Sequence, residues 1–479
     1  MPRLKARPAM RDPTRRRFVG ALTGAALAPF VLPAPAGAGE PPMPAPPAVA
    51  EDVRAELLHG WHGYRAVAWG HDEVRPVSGG THAFFVPGAS FGLSIVEALD
   101  TLYVMELDDE LAAATAWLKA NLTFDVDGEV EVFEAIIRLV GGLLAGHLAT
   151  GDAFLLARAR DLADRLLPAF ASPTGIPYRF VNLKTGAVRD PQTNPAEAGT
   201  SILEFGTLSR LVADAKYLSA SKRALEAVVK RRSALDLVGT TIDAETGEWT
   251  DPVSVAPNPP VDSFYEYLWG GWALLGDRDC RDWYRLLTAA LLRRTSDESG
   301  GALWFKQVNM HTGAAASTTQ DELAAFYAEL LAQGGNRAEG ERYYDSWTRV
   351  VERFGLPPEE IDYTTMEATD PGYALRPEYA NSAFDLWLLT RDERYRRTAY
   401  AHFVQLKRNC RVDGGYTVLS DVRTTPMTRG DLTPGYWFAE NMKYLYLTFA
   451  QSPRFDDKHA YLSTEGKILR GLLPRSQGR

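Results

Sequence analysis

The chain has 479 residues, of which 46% are hydrophobic and 11% aromatic, and its formal net charge is −9 at pH 7. This length suggests two or three domains, or one large barrel, and the negative charge argues against a nucleic-acid-binding protein or a basic membrane surface. The chain has two cysteines, Cys280 and Cys410, which are too few for a disulfide framework, so we expect two free buried thiols.

The N-terminus has the features of an export leader. Thr14–Gly20 matches the twin-arginine pattern, Ala21–Leu32 is a short apolar run, and Ala36–Ala38 is a small-residue cleavage site. We therefore predict an export signal at residues 1–38 and a Pro-rich leader at 39–50, with delivery to a bacterial periplasm or the medium. The apolar run is too short, and too interrupted by Pro and Gly, to anchor the chain in a membrane.

After the leader, nearly every segment has the periodicity of a helix. Short turns containing Asp or Gly repeatedly separate an apolar helix from an amphipathic one. They lie at Leu107–Asp109, Thr150–Asp152, Val212–Asp214, Leu275–Asp277, Gln333–Gly335 and Thr390–Asp392. The later turns lie roughly 60 residues apart, which indicates a repeat of helical hairpins. Three short runs favour strands in the connecting loops, namely Ala83–Val86, Tyr178–Val181 and Gly301–Phe305.

Buried helices inside a layer of amphipathic helices are typical of an all-α, α/α-barrel fold. We predict about seven hairpins in a catalytic domain spanning residues 51–470, followed by a tail at 471–479. The hairpins are expected to start near Asp52, Ser90, Glu131, Glu197, Asp262, Thr319 and Glu378, with a closing helix at Tyr436.

Carboxylates recur near the starts of the predicted inner helices. Residues 131–150 form an apolar helix that carries Glu134 and Arg138 four residues apart, and therefore on one face. Other inner helices begin with Glu197, Asp262, Glu266, Glu378 and Glu440 nearby. One first-turn acid is more often a helix cap, but a ring of them at a shared mouth suits acid–base chemistry on a glycosidic bond.

Loop residues could complete such a site. Trp304, Tyr436, Trp437 and Arg376 suit sugar stacking and hydroxyl recognition. His147 lies on an apolar helix and is expected to be a core residue with a hydrogen-bond partner. No His or Cys cluster has the spacing of a zinc site.

Several stretches, in order along the chain, resemble glycoside hydrolase family 47, the class I α-1,2-mannosidases. They are Trp69–Ser78, Gly92–Tyr103, Phe133–Arg138, Ala196–Phe205, Asp262–Tyr267, Leu375–Glu378, Ala439–Tyr446 and Ser463–Glu465. The resemblance runs from about Ala55 to Thr464. It implies an (α/α)7 barrel with short β-hairpins in its loops, inversion at the anomeric carbon, and a calcium ion at the barrel base.

The resemblance also implies roles for individual residues. Glu134 matches the general acid, acting through a water, Glu378 matches the general base, and Asp262 matches a third catalytic carboxylate that could be the acid instead. The substrate-binding positions are Arg138, Glu197, Arg376, Tyr436 and Glu440. Thr464 matches the direct protein ligand of calcium. The chain departs from the family pattern at Asn381, where a Glu is usual.

The expected protein is thus a monomeric, exported, calcium-dependent exo-α-1,2-mannosidase that acts on mannose-containing oligosaccharides or N-glycans. Two alternatives remain open at this point. One is a mannose-glycan-binding protein on the same barrel. The other is a sugar epimerase on a barrel of six hairpins. It would need a pair of histidines in the bowl, which is the cavity at the mouth of the barrel.

Overall fold

The computed structural model describes residues 42–451 and 453–475. The predicted export signal at residues 1–38 lies outside the described residues, as do the start of the predicted leader and the end of the predicted tail. The first helix begins at Pro46, inside the predicted leader. Proline is tolerated there because the first turn of a helix has no use for the backbone N–H that proline lacks.

The described chain is dominated by helices. They are α1 (Pro46–Val67), α2 (Leu93–Val104), α3 (Asp108–Asn121), α4 (Val132–Thr150), α5 (Ala153–Leu166), α6 (Pro195–Gly199), α7 (Ile202–Val212), α8 (Lys216–Lys230), α9 (Asp262–Leu275), α10 (Arg278–Arg294), α11 (Tyr327–Gln333), α12 (Arg337–Phe354), α13 (Glu378–Thr390), α14 (Glu393–Asn409) and α15 (Met442–Phe449). A 3₁₀ turn at Glu322–Phe326 leads into α11, and a π-helical turn at Trp437–Asn441 leads into α15.

Short antiparallel strands occupy the loops. They are β1 (Glu73–Arg75), β2 (Gly80–His82), β3 (Glu129–Glu131), β4 (Phe180–Asn182), β5 (Val188–Arg189), β6 (Gln192–Thr193), β7 (Thr241–Asp243), β8 (Trp249–Asp251), β9 (Val253–Ser254), β10 (Ser296–Ser299), β11 (Ala302–Phe305), β12 (Gln307–Asn309), β13 (Ala315–Ser317), β14 (Thr319–Asp321), β15 (Glu360–Asp362), β16 (Glu367–Asp370), β17 (Arg411–Val412), β18 (Gly415–Tyr416), β19 (Leu419–Asp421), β20 (Thr428–Arg429), β21 (Tyr461–Leu462) and β22 (Ile468–Arg470). They form sheets of two or three strands.

Seven helices form a closed inner ring. In order around the ring, α2 packs on α4, then α7, α9, α11, α13 and finally α15, whose preceding π turn packs back on α2. Each inner helix pairs with an outer one, and the outer helices are α3, α5, α8, α10, α12, α14 and α1. The predicted α/α barrel is therefore confirmed, and its seven helix pairs in the described chain are six sequential hairpins and the pair of α1 with α15.

The predicted start of the first hairpin near Asp52 is wrong. Helix α1 does not pair with the next helix in sequence but packs against α15 from the other end of the described chain. The first true hairpin is α2 with α3. The first and last helices of the described chain thereby pair with each other and close the ring.

Burial separates the two layers. Every residue of α2 and of α15 is buried, whereas outer helices such as α8 and α12 bury a single face. Helix α4 is long and apolar enough to cross a membrane, but 72% of that stretch is buried inside the protein. It is a core helix, as the sequence predicted.

Local signals set the turns between paired helices. Gly151 and Gly276 adopt the left-handed conformation at φ 73° and 77°, which glycine enters without a steric penalty. Asp152 and Asp277 then cap the outer helices by accepting backbone N–H bonds from Phe154 and Cys280. Cys280 and Cys410 are both free and buried, as predicted.

Of the three predicted strands, the run at 301–305 is confirmed by β11, and the run at 178–181 overlaps β4 by two residues. The strand predicted at Ala83–Val86 is wrong. The N–H of Phe84 donates instead to the buried carboxylate of Asp72, 3.0 Å away, so it is not available for a strand ladder.

Candidate active site

Three of the predicted acids lie at the starts of inner helices, and Glu197 lies in the short helix that precedes one. Asp262 is the first residue of α9, Glu378 is the first residue of α13, and Glu134 is in the first turn of α4. Glu197 is in the first turn of α6, which Asn194 caps by accepting the Glu197 N–H at 2.9 Å. Since the first helices of successive hairpins run in the same direction, these acids face one mouth of the barrel.

Arg138 connects several of these groups. Its Nε donates to Glu134 at 2.5 Å, and its Nη1 donates to Glu465 at 2.8 Å and to Glu97 at 3.4 Å. The Arg138 side chain is 9% exposed and that of Glu134 is 22% exposed. Arg138 is therefore held rigidly, while Glu134 remains accessible from the bowl.

Tyr436 lies between two arginines. The guanidinium of Arg138 is 5.4 Å from the centre of its ring, and that of Arg376 is 5.7 Å away. The Tyr436 hydroxyl donates to the backbone oxygen of Ala374 at 2.5 Å, which fixes the ring. Three predicted substrate-binding residues are thus neighbours in the structure.

Arg376 is fixed in turn by Glu359, whose Oε2 accepts from its Nε at 3.1 Å and from its Nη2 at 3.0 Å. Glu378 lies beside this pair. Burial raises the pKa of the Glu378 carboxyl and Arg376 opposes that effect, so the pKa is about 7. A carboxyl with such a pKa can exchange a proton at neutral pH.

Glu197 and Glu131 share a third arginine, Arg179. Arg179 Nε lies 3.1 Å from Glu197 Oε1 and its Nη2 lies 3.4 Å from Glu131 Oε1. Burial, together with the charges of Glu197 and Glu134, raises the pKa of Glu131 to about 8. The wall next to Glu134 is therefore acidic and able to titrate.

A third group of acids surrounds Thr464, which lies in the turn between β21 and β22. The Thr464 hydroxyl is hydrogen-bonded to Glu266, whose pKa is raised to about 8 by burial and by neighbouring carboxylates that include Asp262. Glu440 is also buried, and its pKa is raised well above the usual range by burial and by the charges of Glu465 and Glu378. The same turn carries Lys467, 3.5 Å from Glu97.

Both π-helical stretches of the described chain lie at this site. Residues Ala135–Val140 form a π turn inside α4 that carries Arg138, and the π turn at Trp437–Asn441 carries Glu440. A π turn rotates the following side chains relative to a regular helix and is frequent at functional sites. The sequence contains no clear signal for either.

Two of the predicted sugar-stacking residues belong to the core. Trp304 stacks on Tyr363 with ring centres 5.4 Å apart, and Trp437 stacks on Tyr416 at 4.6 Å. Both tryptophans are at most 1% exposed, so the prediction that they contact sugar is wrong. Trp304 also packs against Trp347 of the outer helix α12, and Trp437 also packs against Phe438.

The histidines do not form a pair in the bowl. His402 is fully buried against Tyr373, with its Nε2 3.5 Å from the tyrosine hydroxyl, and His147 bonds to the backbone oxygen of Asp152. His82 pairs with Glu73 at 2.8 Å. Proton abstraction by a histidine pair, which the epimerase alternative needs, has no basis among the described residues.

Sequence reasoning missed Glu322, Glu359, Arg179 and Glu97. Glu97 lies on the fully buried α2, so a charge within an apolar helix could have identified it. Glu322 reaches the site from a short 3₁₀ turn and Glu359 from a loop, and neither is long enough to show a periodicity.

Comparisons with known proteins agree with this geometry. The sequence profile described as glycosyl hydrolase family 47 matches residues 56–471. The chain is 35% identical over 444 residues to alpha-mannosidase I MNS5 of Arabidopsis thaliana, covering 87% of this chain and 76% of that protein. It is 33% identical over 452 residues to human mannosyl-oligosaccharide 1,2-alpha-mannosidase IB, covering 88% and 69%.

Among solved structures, an alpha-1,2-mannosidase from Trichoderma reesei superposes with a TM-score of 0.81 at 22% identity, covering 88% of this chain and 98% of that one. A D-mannose isomerase superposes with a TM-score of 0.54 at 11% identity, covering 83% and 97%. At these identities, both matches show the α/α-barrel fold alone.

Proposed function

This chain belongs to glycosyl hydrolase family 47 and is a glycoside hydrolase, and from that premise we propose that it is an inverting exo-α-1,2-mannosidase. Its substrate class is then an oligosaccharide or glycan with terminal α-1,2-linked mannose. The observation that carries the proposal is the row of Glu134, Arg138, Tyr436, Arg376 and Glu378, in which each arginine lies beside both an acid and the same aromatic ring.

Inverting hydrolysis needs two carboxyl groups with room for a water between one of them and the sugar. We assign Glu378 as the general base that takes a proton from the attacking water, because its pKa of about 7 lets it be ionised at neutral pH. Glu134 is assigned to protonate the leaving oxygen through a water, since its carboxyl stays partly exposed. Asp262 is the third catalytic carboxylate and the alternative acid.

The other predicted site residues bind and orient the sugar. Tyr436 offers its ring as a floor, while Arg138 and Arg376 are fixed by Glu134 and Glu359 with N–H groups at the floor's edge. Charged N–H donors of this kind form strong hydrogen bonds to sugar hydroxyls. Glu197 and Glu440 would add acceptors for further sugar hydroxyls.

The residues around Thr464 fit a calcium ion. The hydrogen-bond partners of Glu266, Glu329 and Asp385 among the described residues are neutral, namely Thr464, Gln333 and Asn381, so a bound cation would favour the ionised forms of these three carboxyls. Calcium binds oxygen donors in such acidic surroundings, and we propose Thr464 as its direct protein ligand. A bound calcium ion would supply Lewis-acid polarisation and orientation of sugar hydroxyls.

The described residues contain no group of three His, Cys, Asp or Glu side chains that could hold a metal ion. This is compatible with a site in which one threonine is the direct protein ligand.

We further propose that the twin-arginine pattern at Thr14–Gly20 directs export, which places the enzyme in the periplasm or the medium.

The decisive experiment uses α-1,2-, α-1,3- and α-1,6-linked mannobiose with the purified chain in calcium-containing buffer. We expect hydrolysis of the α-1,2 isomer and little of the other two. Proton NMR during the first turnovers should show β-mannose before mutarotation, because inversion of an α-linkage gives the β-anomer. Release of α-mannose first, or no hydrolysis of any isomer, would refute the proposed function.

A further inference from the structure

Glu322 is a buried carboxyl whose role the proposed mechanism does not explain. It is the first residue of the 3₁₀ turn before α11 and is 0% exposed. Neither of its carboxyl oxygens has a hydrogen-bond partner with an N–H or O–H donor among the described residues. An unpaired buried carboxylate anion is strongly unfavourable, so Glu322 needs either a proton or a partner.

Glu378 is a neighbour of Glu322, because α13 packs directly on the 3₁₀ turn that carries Glu322 and the two carboxyls interact electrostatically. The segments that carry them are held together, since Ser382 on α13 donates to the backbone oxygen of Ala325 at 2.7 Å. Glu378 Oε2 also lacks a protein N–H or O–H donor. Both oxygens of Glu322 and one oxygen of Glu378 therefore lack a donor. A single proton shared by the two carboxyls would form a hydrogen bond between them.

The surrounding charges point the same way. The titratable and charged groups that face this pair are Arg376, Glu359, Tyr373, Glu440 and Tyr436. Arg376 is the one cation in that set, and its Nε and Nη2 already donate to Glu359. A full negative charge on both Glu322 and Glu378 would leave this pocket with several anions against one guanidinium.

We propose that Glu322 is a positioning residue: it remains a neutral carboxylic acid and donates its O–H hydrogen bond to the carboxylate of Glu378. This rests on the proposed function to the extent that Glu378 is the general base. The proton stays on Glu322 throughout, while Glu378 takes the proton of the attacking water.

The directions of the pKa shifts agree with Glu322 as the protonated donor and Glu378 as the ionised acceptor. Burial and the charge of Glu378 hold the pKa of Glu322 well above its ordinary range. The hydrogen bond from Glu322 and the charge of Arg376 lower the pKa of Glu378, which offsets part of the effect of burial. A fully buried base therefore remains ionisable near neutral pH.

Two variants of Glu322 distinguish its role as a hydrogen-bond donor from a role in packing alone. Glu322→Met keeps the length of the side chain but removes the donor, whereas Glu322→Gln keeps a donor in its amide group. The acidic limb of kcat/KM against pH, measured on α-1,2-mannobiose with saturating calcium, reports the ionisation of the base. We expect Glu322→Met to move that acidic limb to a pH about one unit higher. At pH values below the limb, this variant should have a kcat/KM about tenfold lower than the wild type. Glu322→Gln should have a pH profile close to that of the wild type.

Glu204→Gln is the matched control. Glu204 is also fully buried, and its partner is the Tyr267 hydroxyl at 2.7 Å, so its replacement should leave the limb in place. A downward shift in Glu322→Met would mean that Glu322 is an anion that raises the pKa of Glu378, and an unmoved limb would mean that the two are not coupled. Either result overturns the proposal.

Infrared difference spectroscopy tests the protonation state without using activity. At neutral pH the wild type should show a C=O stretch of a protonated carboxyl that is lost in Glu322→Gln, a variant expected to fold because its side chain is isosteric. An enzyme that hydrolyses mannobiose without this band refutes the role of Glu322. A protein that shows the band but hydrolyses no mannoside refutes the proposed function and leaves the state of Glu322 established.

Discussion

Replacing Arg138 by Met should destabilise the fold far more than replacing an exposed arginine. Arg138 pairs with Glu134, Glu465 and Glu97. Glu134 is 22% exposed and can regain water, and Glu97 keeps Lys467 at 3.5 Å. Glu465 is 9% exposed and loses its one ion pair in the described chain. Leaving one buried carboxylate without its partner costs about 3–5 kcal/mol.

The thioether of Met can pack against the rings of Phe84 and Tyr436, which lie 5.2 Å and 5.4 Å from the guanidinium, so little of the loss should come from packing. The matched control is Arg189→Met, because Arg189 and Glu129 form an ion pair with side chains 51% and 45% exposed. Such a surface pair is worth at most about 1 kcal/mol.

Urea denaturation at slightly alkaline pH, followed by tryptophan fluorescence, gives both free energies of unfolding. The difference between the two variants should be at least about 2 kcal/mol. Equal midpoints for Arg138→Met and Arg189→Met, with unchanged slopes, would show that the carboxylates around Arg138 do not depend on its charge.

Four further outcomes are expected. Glu134→Gln and Glu378→Gln should each lower kcat by about two to four orders of magnitude with an unchanged circular dichroism spectrum, and near-normal turnover of either variant would remove its assigned role. Because a general base works in its ionised form, kcat/KM on α-1,2-mannobiose should fall as the pH drops below the Glu378 pKa of about 7; a profile flat down to about pH 5 would contradict that assignment. Treatment with EGTA followed by desalting should abolish hydrolysis, added calcium should restore it, and Thr464→Ala should need more calcium for the same recovery; full activity in metal-free protein would remove calcium from the proposal. Replacing Arg15 and Arg16 by Lys should leave the precursor in the cytoplasm by immunoblotting of cell fractions, and an unchanged exported yield would show that the pair is not the export signal.

Much of the fold was predictable because its signals are local. Gly151 and Gly276 end inner helices, Asp152 and Asp277 start outer ones, and Asn194 caps α6; each is a property of a few adjacent residues. The pairing of α1 with α15 was missed because it joins segments far apart in sequence. No periodicity within either helix distinguishes a partner nearby from one at the other end of the chain.

The residues of the site also differ in whether local sequence patterns predict their contacts. The positions of Glu134, Asp262 and Glu378 at helix starts follow from local patterns, and the contact of Arg138 with Glu134 follows from their spacing. The contacts of Glu322 with Glu378 and of Arg138 with Glu465 depend on how separate elements pack. A usable signal was overlooked at Trp304, because Ala302–Phe305 is apolar at every position and all four residues are buried; such a run indicates a strand buried on both faces rather than a sugar platform.

The distribution of charge around the bowl connects the fold to the chemistry. Each catalytic acid on α4 and α13 has an arginine close in sequence, Arg138 after Glu134 and Arg376 before Glu378, so those two acids are partly neutralised within their own segments. Glu266, next to Thr464, has a neutral hydrogen-bond partner instead, and burial and the neighbouring carboxylates raise its pKa to about 8. Glu266 is therefore largely protonated at neutral pH, and a positive charge nearby, on an ion or on the sugar, would favour its ionised form. A glycosidic transition state resembles an oxocarbenium ion and carries positive charge on the sugar ring, and a preorganised negative environment stabilises that charge more than it stabilises the neutral substrate.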